Sequence, residues 1–246
     1  MLEPHSIWYT AVSGIWQTVW LEYVPEAYIR NLKITPQLDQ SRVKVEVNAA
    51  HVTNAHQIKA TAKDGNEPVA SSDGFHGNRL YLQLEEPKTW SPRDPFLYDL
   101  EVRLLDKSGK ETDMVISYFG MRKISLDKGP EGFTRLFLNN KPYFHLGPLD
   151  QGWWPDGLYT APTDEALKYD IQVTKDLGFN MLRKHVKIEP QRFYYWCDKM
   201  GILVWQDMPN GDHRPGKIPY RHKASARQFK TEYREMIREF YNHPSI

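Results

Sequence analysis

The chain has 246 residues, a formal net charge of +1, 40% hydrophobic and 26% charged residues, which fits a globular protein with one large domain or two ordinary ones. A charge balance this near zero gives no electrostatic reason to expect nucleic acid or an anionic membrane as partner, and no run approaches the ~18 apolar residues of a membrane-spanning helix. Its single cysteine, Cys197, excludes an internal disulfide and a cysteine-based metal site.

Residues 1–26 contain Ser13-Gly14-Ile15-Trp16-Gln17-Thr18-Val19-Trp20-Leu21-Glu22. Gly14 marks a turn, and Ile15, Thr18, Val19, Trp20 and Leu21 are strand formers, so one long strand is predicted here. A lone strand is unstable in water and must pair with something else.

From 27 to 122 the pattern is all-β. Short apolar or alternating runs at 29–34, 43–47, 58–62, 80–84, 97–105 and 114–119 are separated by Pro36, Asp64-Gly65-Asn66, Asp73-Gly74 and Lys107-Ser108-Gly109-Lys110. Val43, Val45 and Val47 alternate with Lys44 and Glu46, which gives one buried and one wet face. Strands at this spacing over about 100 residues predict an immunoglobulin-like β-sandwich.

From 123 to 246 strand and helix alternate. Phe137-Leu138-Asn139-Asn140-Lys141-Pro142 reads as a hairpin and 143–146 as a short strand. Thr163 caps a helix from Asp164, with Leu167, Ile171 and Thr174 on one face and Gly178 beyond its end. A strand at 179–183 follows. Pro190 then opens a helix with Phe193, Cys197 and Met200 inward, stopped by Gly201. Within that stripe Cys197 is expected to be an inert core thiol. The continuous apolar run 202–205 reads as a parallel strand covered on both faces. A third helix carries the stripe Phe229, Tyr233, Met236, Ile237 and Phe240. Three strand–helix units predict the start of a parallel α/β domain. A (β/α)₈ TIM barrel needs roughly 250 residues, so this stretch holds an incomplete one. Its unpaired sheet edges favour a homo-oligomer.

In such a sheet the chemistry sits at the C-terminal strand ends. Those positions hold Asp150, Gln151, Trp153, Trp154 and Asp156, then Arg183, Lys184 and His185, then Trp205, Gln206, Asp207 and Asn210. Carboxylates accept hydrogen bonds from sugar hydroxyls, Arg and His donate them, and an indole stacks on the apolar face of a pyranose. The alternative for Arg183 and Asp207 is a pair with one another across adjacent strand ends. No metal-binding His-Glu-x-x-His, phosphate loop or dinucleotide glycine pattern occurs. The basic run 214–227 reads as a solvated loop.

Several of these strings together resemble glycoside hydrolase family 2, the clan of β-galactosidases, β-glucuronidases and β-mannosidases. They are Gly14-Ile15-Trp16-Gln17-Thr18-Val19-Trp20, Trp90-Ser91-Pro92 followed by Pro95-Phe96-Leu97-Tyr98, Phe119-Gly120-Met121-Arg122, Leu203-Val204-Trp205-Gln206-Asp207 and Asn242-His243-Pro244-Ser245-Ile246. The resemblance implies three domains: 1–26 as the last strand of a jelly-roll sugar-binding domain, 27–122 as the immunoglobulin-like sandwich, and 123–246 as the N-terminal part of the TIM-barrel catalytic domain. It also implies retaining hydrolysis of O-glycosidic bonds in a carbohydrate substrate by two glutamates about 5–5.5 Å apart. The Asn-His-Pro-Ser-Ile string resembles the stretch just before the acid/base glutamate, so the expectation is a fragment with no catalytic residue of its own. Asp150, Trp153, Trp154, Arg183, His185, Trp205, Asp207 and Asn210 then become substrate-binding groups. No organic cofactor is implied, and Mg²⁺ or Na⁺ is left open for the full-length enzyme. Arg183-Lys184-His185-Val186-Lys187 departs from the galactosidases and glucuronidases, which place Ser-His-Tyr-Pro after that arginine, and this leaves the sugar open. The rival reading is a non-catalytic carbohydrate-binding or interaction module.

Overall fold

The computed structural model describes Pro4 and residues 9–209 and 223–246. It divides into two compact units. One comprises Leu21–Phe144 with Asn242–Pro244, the other Met1–Trp20, His145–Tyr241 and Ser245–Ile246.

The first unit is a β-sandwich. Strands β1 (Tyr28–Gln37), β2 (Arg42–Ala50) and β5 (Arg79–Gln83) form one antiparallel sheet in the order β1-β2-β5; β3 (Gln57–Asp64), β4 (Glu67–Phe75), β6 (Tyr98–Leu105) and β7 (Glu111–Phe119) form the other, ordered β4-β3-β6-β7. The period-two pattern puts Val43 and Val45, Ile58, Ala60 and Ala62, and Leu100, Val102 and Leu104 in a single core. Strand β4 is missed in the sequence, and Asp73-Gly74 lies inside it instead of forming the expected turn, because its half-buried positions are Ala70, Ser72 and Gly74 rather than large apolar residues. At Gly74 an added Cβ would sit 3.1 Å from Leu80 Cδ2, so this edge strand is read by its smallness.

The motif residues of this unit pack rather than react. Trp90 is fully buried and its N–H donates to the Met121 carbonyl. A Cβ at Gly120 would lie 2.8 Å from Trp90 Cβ and 2.9 Å from Pro244 Cβ, so the Phe-Gly-Met-Arg string exists for a close approach. Arg122 Nε donates to the Pro244 carbonyl at 2.8 Å. A small antiparallel sheet, β8 (Ile124–Lys128), β9 (Thr134–Leu138) and β10 (Lys141–Pro142), follows. Its last turn is the expected hairpin: Asn139 and Asn140 both have positive φ, 52° and 63°, the two-residue geometry that asparagine tolerates.

The second unit is a parallel sheet with helices. Its elements are β11 (Leu149–Asp150), α1 (Asp164–Asp176), β12 (Met181–Lys184), α2 (Gln191–Met200), β13 (Leu203–Gln206) and α3 (Lys223–Glu239). The sheet order is β11-β12-β13, all parallel. Thr163 Oγ1 accepts from Ala166 N at the start of α1, Pro190 precedes α2, and Gly201 ends it at φ 76°. Leu167 and Ile171 of α1, Phe193, Tyr194 and Cys197 of α2, Leu182, Val204, Met236 and Phe240 share the core.

Three expectations need correcting. Residues 143–146 are not a strand of this sheet. Tyr143 N donates to Leu136 O as part of the hairpin, and parallel pairing starts at the Leu146 carbonyl, which accepts from Asn180 N. The ladder is then interrupted at Pro148, which has no N–H to give, and is regular only at Leu149–Asp150. The segment 14–21 is not a strand either: Ile15, Val19, Trp20 and Leu21 are exposed and no ladder includes them. Strand formers without a neighbour to accept their hydrogen bonds stay irregular. On α3 the inward stripe narrows to Met236, with Phe240 just past the helix end, while Tyr233 and Ile237 are exposed.

Candidate functional site

The parallel register places Asp150, Lys184 and Gln206 opposite one another at the C-terminal end of the sheet. Each begins a loop, and side chains from the three loops converge.

At the centre is a buried charge network. Lys184 and Lys187 are each 1% exposed and Glu189 2%. Lys184 Nζ donates to Asp150 Oδ2 at 2.6 Å and to Glu189 Oε1 at 3.0 Å. Lys187 Nζ lies 3.0 Å from the same Glu189 oxygen and donates to the Gly152 carbonyl. Burial opposes the charged form of Lys184, but Asp150 and Glu189 together outweigh it and hold its pKa above the ordinary lysine value. For Lys187 burial wins, and its pKa is lowered. Buried charges of this kind cost desolvation that pairing only partly offsets. Tyr194, buried beneath, accepts from Glu189 N at 3.1 Å and donates to Gln206 Oε1. Gln206 Nε2 in turn donates to the carbonyls of Lys187 and Asp207, both at 2.7 Å.

Around this centre lie the residues singled out from sequence. Arg183 and Asp207 pair through two parallel hydrogen bonds, 3.0 and 2.8 Å, at the outer edge of the strand ends. Trp205 is 46% exposed and donates from Nε1 to His145 Nδ1 at 2.8 Å. Burial lowers the pKa of His145, which suits a neutral acceptor. His185 Nδ1 accepts from Gln151 Nε2 at 3.3 Å. Trp153 stacks on Tyr9, and Trp154 packs against the core with its indole N–H buried and unpartnered. Asn210 lies outside the described residues. A cavity of about 380 Å³ opens beside the network, walled by Ile188, Glu189, Met208, Met236 and Phe240 with Glu232 and Glu235 of α3. That volume falls within the range of small-ligand sites.

Lys187, Glu189, Gly152 and Tyr9 were not singled out in the sequence. The string Lys184-His185-Val186-Lys187-Ile188-Glu189 carries the signal, since three charged residues are interspersed with Val186 and Ile188 from the last residue of a buried strand onward. Val186 has φ 49°, an uncommon conformation for a β-branched residue. Among the described residues, no group of three or more His, Cys, Asp or Glu could hold a metal ion.

The profile of the Glycosyl hydrolases family 2 matches residues 27–122, and curated β-galactosidases align along nearly the whole chain. One from Lactococcus lactis is 27% identical over 99% of it, and one from Vibrio vulnificus (strain YJ016) is 30% identical over all of it. The sandwich stretch is thus matched by the glycoside hydrolase family 2 profile, and the chain as a whole is similar to β-galactosidases. Among solved structures, a β-glycosidase from Bacteroides vulgatus superposes with a TM-score of 0.75 at 22% identity over 90% of this chain and 29% of its own. A β-D-glucuronidase from Dictyoglomus thermophilum gives 0.74 at 21%, over 90% of this chain and 37% of its own. At these identities the superposition speaks for the fold. The chain spans about a quarter of the length of the curated relatives it matches, 24% and 25% for the two named.

Proposed function

We propose that the chain forms one wall of the sugar site of a retaining β-glycoside hydrolase, and that hydrolysis belongs to a polypeptide of its relatives' length. The observation that carries this reading is the convergence of Asp150, Lys184, His185, Trp205 and the Arg183–Asp207 pair at one end of a parallel sheet in a chain whose sandwich matches the family 2 profile. In a (β/α)₈ barrel that end is where substrates bind. On this reading the second unit is the first three strand–helix units of the barrel, the sandwich is the immunoglobulin-like domain, and 1–26 corresponds to part of a jelly-roll sugar-binding domain. Asp150 and Asp207 position the sugar through its hydroxyls, and Trp205 offers the exposed indole. None of them acts as acid/base or nucleophile. Retention requires two carboxyl groups about 5–5.5 Å apart, and both carboxylates here are committed to cations, Lys184 and Arg183. Among the described residues β11 and β13 end the parallel sheet, and an edge strand also offers a surface for a second copy.

The test is direct. The purified chain is expected to give no turnover of 4-nitrophenyl β-glycosides, while the gene product in its own cells is expected to have a mass well above 28.9 kDa. Hydrolysis by the pure chain, lost in Asp207→Asn or Asp150→Asn, overturns this assignment. A cellular product of 28.9 kDa that binds a sugar without cleaving it favours a carbohydrate-binding module instead.

A further inference from the structure

The contacts around Gly152 close into a ring. Gly152 N donates to Asp150 Oδ1 at 2.7 Å. The other oxygen of Asp150 takes Lys184, Lys184 takes Glu189, Glu189 takes Lys187, and Lys187 returns to the Gly152 carbonyl. The circuit starts and ends on one residue, and it contains two cations and two anions.

Gly152 fits this ring because it has no side chain. Its φ is +61°, and a Cβ would come 2.2 Å from Glu189 Oε1 and 2.8 Å from Lys187 Cδ. The peptide therefore rests directly on the Lys187–Glu189 pair. The next two residues are Trp153 and Trp154, and the opposite side of the pair is borne by a loop whose Val186 holds a strained backbone.

A ring of this kind is a poor source of stability. Taking ions out of water costs several kcal/mol per group, and apolar replacements of a buried pair are often neutral or stabilising. What directional bonds supply and apolar packing does not is a single position for the peptide they hold. We propose that the buried Lys187–Glu189 pair is a positioning device that clamps the Gly152 peptide and so fixes the Trp153–Trp154 segment at the C-terminal end of the parallel sheet. The clamp itself is a property of the loop; its use in aligning a sugar rests on the carbohydrate reading above.

Four variants of the chain test it: Lys187→Met, the double variant Lys187→Met/Glu189→Leu, Gly152→Ala and Lys187→Arg. Two quantities are read, namely amide hydrogen exchange in a peptide covering 151–154 and the tryptophan fluorescence response to 4-nitrophenyl β-glycosides. The double variant removes both partners of the pair. It is expected to keep the melting temperature within a few degrees while exchange at 151–154 rises at least tenfold and any sugar response weakens at least fivefold. Gly152→Ala keeps every charged side chain but forces the Gly152 peptide and the Lys187–Glu189 pair apart, so it should show the same local loss even if Lys187→Met fails to fold. Lys187→Arg, which retains a cation and a donor for the Gly152 carbonyl, should restore slow exchange. Unchanged exchange at 151–154 in the double variant and in Gly152→Ala overturns the clamp. So does a rise in exchange spread evenly over the second unit with a matching fall in melting temperature, since that is ordinary destabilisation. If the loop responds as expected but the unmodified chain binds no glycoside, the clamp stands and the carbohydrate reading fails.

Discussion

Tyr9 lies flat on Trp153, with ring centroids 4.8 Å apart and planes 12° from parallel. Its hydroxyl donates to Gln151. A little further along, Trp16 meets Tyr159 edge-on at 4.7 Å and its carbonyl accepts from Thr160. A segment without ladder bonds is thus held by aromatic contacts to the loop after β11. One face of the Trp153 indole is occupied by a ring from the same chain. Of the candidate tryptophans, only Trp205 presents a largely open surface.

Removing Tyr9 therefore has a local effect. A stacked aromatic pair contributes about 0.5–1.5 kcal/mol beyond its buried area, enough to seat the strap but small beside the core. Tyr9→Ala is expected to leave the melting temperature nearly unchanged and to raise acrylamide quenching of tryptophan fluorescence. The increment should vanish when the comparison is repeated in a Trp153→Phe background. Equal quenching before and after the Tyr9 change would mean that something else shields the indole.

The sandwich and the strand–helix alternation were legible because they follow from local periodicity. Val43 and Val45 sit inside for the reason their spacing gives, and Thr163, Pro190 and Gly201 mark helix ends by chemistry that acts within one turn. The site was legible only as positions. Asp150, Arg183 and Asp207 could be placed at strand ends, but which charge meets which is set by register across three strands and by loops whose paths no local rule fixes. The Arg183–Asp207 pair could be weighed in advance because both ends lie on adjacent strands. The ring through Gly152 could not, because it depends on one glycine at positive φ touching a carboxylate 37 residues away in sequence. The 14–21 segment misled for the opposite reason, since strand propensity says nothing about whether a neighbouring strand is present.

The Arg183–Asp207 fork offers a separation of stability from recognition. The pair is partly exposed, with side chains 48% and 23% accessible, and pairs of this kind contribute about 0–1 kcal/mol. Asp207→Asn and Arg183→Lys should each lower stability by no more than about 1 kcal/mol in urea unfolding. Their effect on sugar binding should be far larger, with Asp207→Asn the worse of the two because it removes both the acceptor charge and the partner that orients Arg183. Loss of several kcal/mol of stability on either change would show instead that the fork holds the sheet together.

Acid sensitivity of the sandwich has a specific source. Hydrogen bonds from Arg103 and Lys63 hold the Glu101 carboxyl at about 2, well below its ordinary 4.5. A depressed carboxylate stabilises the fold fully above its unfolded pKa, and that contribution is lost as pH falls through the folded value. The sandwich should therefore weaken between about pH 4.5 and pH 2, and Glu101→Gln should flatten this part of the curve while lowering the plateau at neutral pH. Melting temperatures taken from pH 7 to pH 2 check it, and parallel curves for the two proteins would assign the acid limb to other groups.

Asn242 supplies the sandwich with what a neighbouring strand would. Strand β1 is the edge of its sheet, and edge strands expose unpaired donors and acceptors. The Asn242 carboxamide answers two of them: Oδ1 accepts from Ile34 N and Nδ2 donates to Leu32 O, both at 2.8 Å. Only an amide has a donor and an acceptor set side by side like a peptide group. Asn242→Ala leaves both backbone groups without that partner in a half-buried setting, at a cost of about 1–3 kcal/mol. Asn242→Asp keeps the bond from Ile34 but faces a second oxygen toward the Leu32 carbonyl, so it should also destabilise despite its near-identical shape. Urea unfolding followed by the fluorescence of buried Trp90 provides the measurement. The peptide-mimic account requires both variants to fall below the parent; an Asp variant as stable as the parent would leave only the acceptor bond mattering.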